Sequence, residues 1–205
     1  MYTTRMASRL VGAAGVALLG LLALGCDTAK PSGPPTASQV AVSSGDCAGK
    51  IRAMDLANDA TVFAVDRCRF TLEGGEAAKA VLAANVSGDA LWAAIWVYVD
   101  SASDPAPLRP FVRAGTPTTR AMASAGAIAF GDSAGFDGLR EALTADQQLD
   151  GSTPPIAISA FALGALERYV IVPDAPTTAA DWATWLSSNG TRLGFDPSQG
   201  TWSLR

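Results

Sequence analysis

An α+β fold built from two ββαβ units, with a strand-helix extension at the C-terminus, is what the sequence predicts. Three observations point to it. Several short segments are rich in β-branched and aromatic residues. Amphipathic segments fall between them. The order strand, strand, helix, strand reads twice, over about 51–99 and again over about 111–161.

The elements follow in chain order. Ile51-Arg52-Ala53-Met54-Asp55-Leu56 reads as a weak strand and Thr61-Val62-Phe63-Ala64-Val65 as a clear one. Gly74-Gly75 reads as a turn before a helix over 76–84, which places Ala77, Ala78, Val81 and Leu82 on one face. Ala93 to Val99, with Ile95-Trp96-Val97-Tyr98-Val99, is the strongest β-former in the chain. The second unit takes strands at 111–114, 126–130 and 155–161, and a helix over 133–145 that Asp132 or Ser133 can cap. Its helix-to-strand part repeats the first at an offset of 61 residues, with Ile95 matching Ile156. From about residue 165 onward, a strand at 168–172, a helix over 178–188 and a tail read as an appendage. Thr178-x-x-Asp181 resembles a capping box, Trp182, Trp185 and Leu186 are its buried side, and Asn189-Gly190 suits its stop.

Composition bounds the function. The 205 residues are 49% hydrophobic and 17% charged, too apolar for a disordered chain. Without the first 25 residues, which carry Arg5 and Arg9 and no acid, 13 basic and 19 acidic side chains remain. That balance argues against nucleic-acid binding. There is no His, so no Ser-His-Asp unit, Cys-His unit or HExxH zinc helix can form. The acids show no paired set, and no Gly-rich phosphate loop follows a strand. Lys30, Lys50 and Lys79 are the only lysines, and none sits in a serine-lysine motif. The chain reads as no enzyme.

The N-terminus reads as an export signal over 1–25. Arg5 and Arg9 precede an uncharged stretch from Leu10 to Gly25, too short to span a bilayer as a helix. Leu22-Ala23-Leu24-Gly25-Cys26 resembles the lipobox of bacterial lipoproteins. The resemblance implies cleavage before Cys26 and its modification with fatty acyl chains such as palmitate. It places the protein in the cell envelope, anchored through lipid and facing the periplasm or the exterior. Residues 26–45 then read as the lipidated Cys and a tether. Its 19 residues after Cys26 span roughly 25 Å as a coil. The folded part is expected over 46–205.

The remaining cysteines, Cys47 and Cys68, leave two readings open. In an exported protein a Cys pair commonly forms a disulfide. The other reading is a soft-metal site drawn from Cys47, Cys68, Met54 and Met122, since thiolate and thioether sulfur favour Cu(I). Met122 stands in Ala121-Met122-Ala123-Ser124-Ala125-Gly126, just before a segment read as a strand.

Three segments are similar to the NosL family, the accessory lipoproteins of nitrous oxide reductase. Val65-Asp66-Arg67-Cys68 is similar to its Phe-Asp-Asp-x-x-Cys segment, Trp96-Val97-Tyr98-Val99-Asp100 to its Trp-Val-x-Asp strand, and the run from Phe111 to Asp132 to its Thr-Pro-Met-Gly region. The family's Cys-x-x-Cys-Gly-Met segment has no counterpart, so the likeness is to a divergent member. It implies two ββαβ units and a metallochaperone-like protein that binds Cu(I) for a partner metalloprotein. The alternative is a non-catalytic lipoprotein, stabilised by a Cys47–Cys68 bridge, that acts as a protein-binding module.

Overall fold

A computed structural model describes residues 46–205 except 153. The expected signal peptide over 1–25, the lipidated Cys26 and the tether up to 45 lie outside the described residues.

Helices dominate. They are α1 (Cys47–Arg52), α2 (Asp59–Asp66), α3 (Leu72–Ala83), α4 (Gly88–Ser101), α5 (Pro117–Ala129), α6 (Gly135–Ala142), α7 (Ile158–Tyr169) and α8 (Ala179–Asn189). Two 3₁₀ turns, Ala106–Phe111 and Gly190–Arg192, join them. Among the described residues the sheet has two strands, β1 (Leu193–Asp196) and β2 (Thr201–Leu204), paired antiparallel with Phe195 opposite Trp202.

The duplicated ββαβ arrangement does not form. Residues 61–65 belong to α2, 93–99 to α4, 126–129 to α5 and 158–161 to α7, and the 3₁₀ turn ends at Phe111 where a strand was expected. Residues 51–56 close α1 and then turn. The reason is clearest at α4, where every residue from Leu91 to Asp100 is buried. A helix packed on all sides carries apolar residues all round, and its sequence loses the 3.6-residue period. A β-prone run inside it then looks like a core strand, because packing overrides propensity. Val170 makes one bridge to Trp202 but starts no strand.

The amphipathic helices appear near where they are expected. α3 buries Ala78, Val81 and Leu82. α6 buries Phe136, Leu139 and Ala142, and the Asp132 Oδ1 accepts a hydrogen bond from the Ala134 N–H just before it. α8 is capped by Thr178, whose Oγ1 accepts from the Asp181 N–H and donates to its carboxylate. Its stop at Gly190 is a right-handed 3₁₀ continuation, not a left-handed glycine.

Two apolar clusters form the core, and α5 lies between them. Ala123 joins the first cluster, made mainly by α1, α3 and α4. Ala121, Ala125, Ile128 and Ala129 join the second, made by α6, α7, α8 and the hairpin. The Ala, Gly and Ser of α5 let its neighbours approach closely. A Cβ on Gly126 would stand 2.5 Å from a Val99 methyl and 2.8 Å from one of Leu108. The segment beyond 165 packs into the core: Leu166, Trp182, Leu193 and Trp202 are part of the second cluster. The Trp202 indole N–H donates to the Ile128 carbonyl at 2.8 Å and ties the hairpin to the end of α5.

Candidate functional site

The first cluster holds every sulfur the sequence singles out in the folded part. Asp46 opens α1 by accepting the Gly49 N–H at its carboxylate, which sets Cys47 on the first turn. Cys68 lies in the connection from α2 to α3, where its N–H donates to the Val65 carbonyl at 2.8 Å. Cys47 and Cys68 are joined by a disulfide across 21 residues, and both are buried. The bridge fastens α1 to the start of α3.

The backbone around Cys68 is closely fitted. Thr71 caps α3: its Oγ1 accepts from the Gly74 N–H and donates to the Cys68 carbonyl. Gly74 and Gly75 are not the expected turn but part of the first turn of α3. A Cβ on Gly74 would stand 1.9 Å from the Cys68 carbonyl oxygen. Only glycine lets the helix start so near the bridge.

Met54 is buried in the same cluster, and Met122 on α5 is half-buried against it. All four candidate sulfurs therefore share one apolar region. In the bridged form the two cysteines are bonded to each other and offer no thiolate, so the set does not fit Cu(I). Thiolate ligands require the reduced pair. Among the described residues, no group of three or more Cys, Asp or Glu is placed to hold a metal ion.

One charged cluster escapes the sequence reading. Arg69 donates from Nε to Asp100 and from a terminal nitrogen to Asp66 at 2.7 Å. The Arg69 and Asp100 side chains are 8% and 4% exposed, so the pair is buried. The Arg69 guanidinium also lies over the Trp96 ring at 4.4 Å and the Phe70 ring at 4.8 Å. Burial raises the Asp100 pKa above the usual carboxylate range, and Arg69 pulls it the other way. Asp100 is the one acid at the end of a long apolar run. That position is the signal that could have marked a buried pair.

A shallow depression between α6 and α8 is lined by Arg140, Glu141, Thr144, Ala183, Thr184 and Ser187. Thr144, Thr184 and Ser187 each donate to a backbone carbonyl of their own helix turn. Trp182 and Trp185 stack edge to face at 5.4 Å, with Trp182 fully buried, as core residues rather than a ligand cage. No described helix is long and apolar enough to cross a membrane. Compared with known protein families, curated proteins and solved structures, the chain matches none of them.

Proposed function

We propose that the chain is an exported, non-catalytic lipoprotein, anchored at Cys26 and acting as a protein-binding module on the envelope surface. The observation that carries this reading is the buried Cys47–Cys68 bridge. Such a bond persists in oxidising compartments outside the cytoplasm, and the lipobox-like Leu22-Ala23-Leu24-Gly25-Cys26 addresses the chain there. The absence of His supports a binding role over the common hydrolase chemistries. Fractionation followed by mass spectrometry of the N-terminal peptide tests it. Acyl chains on Cys26 in the membrane fraction are expected. Cytosolic protein that still begins at Met1 would overturn it.

A second reading is favoured by the presence of Cys47, Met54 and Cys68 in one apolar cluster, with Met122 packed against it. A reduced form of that cluster would hold Cu(I) as an accessory protein does, in line with the NosL-like segments. Mass spectrometry of the reduced protein with Cu(I) tests this. Binding that is lost in Cys68→Ala and Met122→Leu supports it, and binding unchanged in both discards it.

A further inference from the structure

The connection from α2 into α3 exposes three large apolar side chains within ten residues: Phe63, Phe70 and Leu72, which are 54%, 45% and 86% exposed. These are three of the five large hydrophobics that stand out to solvent among the described residues. They are not loosely placed. Phe70 sits at φ +60°, a left-handed conformation that costs a bulky residue free energy. Its ring lies against the guanidinium of Arg69, which is paired with Asp66 and Asp100 and also lies over the Trp96 ring. Phe63 is covered on one side by Arg67 at 5.0 Å. The Phe70 ring is therefore held outward on a strained backbone beside a buried ion pair. Three exposed apolar side chains within ten residues, one of them on a strained backbone, point to a contact.

Where the anchor enters the folded part says what the contact is. The first described residue, Asp46, adjoins Cys47, and the bridge places Cys47 against Cys68, two residues before Phe70. The tether from Cys26 thus delivers the folded part to the bilayer at this end. Only residues 27–45 separate Cys26 from Asp46, so a lipid anchor at Cys26 keeps this end of the folded part near the headgroups. We propose that Phe63, Phe70 and Leu72 insert into the lipid surface beside the acyl anchor and fix the orientation of the protein on the membrane. The inference rests on lipidation at Cys26. Arg67 and Arg69 flank the rings, but Asp66 and Glu73 offset them. Insertion is therefore apolar in origin and persists at raised salt.

The test uses the full lipidated chain in phosphatidylcholine vesicles. With Cys26 acylated and Cys47 bridged to Cys68, Leu72→Cys offers the one free thiol for an environment-sensitive fluorophore. Glu141→Cys, exposed on α6, is the control. The expected result is a blue-shifted emission at position 72, quenched by brominated lipid at low and high salt, with neither effect at 141. Mass spectrometry of the same sample reads the state of Cys26. Acylated protein with position 72 as water-exposed as 141 overturns the docking inference and leaves the lipoprotein reading standing. Unacylated protein removes both. A blue shift that follows protein concentration and resists brominated lipid marks a second copy on the patch and also overturns the inference.

Discussion

Arg69 and Asp100 form a buried ion pair that joins the α2–α3 connection to the last turn of α4. The pair stands beside the disulfide and beneath the exposed Phe70 ring. It is the point where the charged, bridged and apolar features of this end meet.

Removing one member leaves the other charged and buried. Arg69→Met is expected to cost about 3–5 kcal/mol. The variant's deficit shrinks as pH falls, because Asp100, already raised by burial, then takes up a proton and loses its charge. The sign in the native chain is consistent: a raised folded pKa gives stability below the ordinary carboxylate value that is lost as pH rises through the folded one. Arg69→Met combined with Asp100→Leu recovers most of the loss. Urea unfolding of the two variants at pH 4 and pH 7 checks this.

The bridge closes a loop over a separation of 21 residues. Cys47→Ser with Cys68→Ser is expected to lose about 3 kcal/mol in the chain-entropy description. Reductant should lower the denaturation midpoint of the native chain toward that of the double variant and leave the variant itself unchanged.

Two glycines in helices give opposite signs. Alanine normally favours a helix over glycine by about 1 kcal/mol. At Gly164 on α7 an added Cβ meets nothing within 4 Å, so Gly164→Ala should stabilise by about that amount. At Gly74 the added carbon meets the Cys68 carbonyl, and Gly74→Ala should destabilise by more than about 2 kcal/mol. Thermal denaturation of the two variants side by side decides it.

Tyr98 sets a limit at high pH. Its hydroxyl donates to the Asp104 carbonyl at 2.8 Å, and burial, then the charges of Asp104 and Glu76, push its pKa up to about 12. The folded chain keeps this proton from the ordinary 10.0 up to about 12 while the unfolded chain loses it. Stability from this group is therefore complete below pH 10.0 and falls as pH rises toward 12. Absorbance titration of the phenols should show one late group, absent in Tyr98→Phe.

Legibility in the sequence followed amphipathicity. α3, α6 and α8 each have one face in the core and the other in water, so their period is readable; of the caps only Thr178 is, since α6 has no side-chain cap and α3 starts from Thr71, ahead of the glycines read as a turn. The Thr178–Asp181 cap is local, and its chemistry is written in four consecutive residues. α4 and α5 touch protein on nearly every side, and their patterns collapse into apolar or small-residue runs. Length was the remaining clue for α4: ten consecutive buried residues exceed an ordinary strand. Ile95 and Ile156, matched by the offset of 61, fall in the middle of α4 and in the loop before α7, so the repeat was a coincidence of composition. The Cys47–Cys68 pairing was one of two readings, because sequence shows which sulfurs exist and not which ones meet. Arg69 and Asp100 meet across 31 residues, a relation no local pattern carries.

The most direct measurement is non-reducing peptide mapping of protein taken from the envelope after trapping free thiols. One linked species containing the Cys47 and Cys68 peptides, with no trap on either, is expected. Both peptides recovered separately, each carrying the trap, would contradict the bridge.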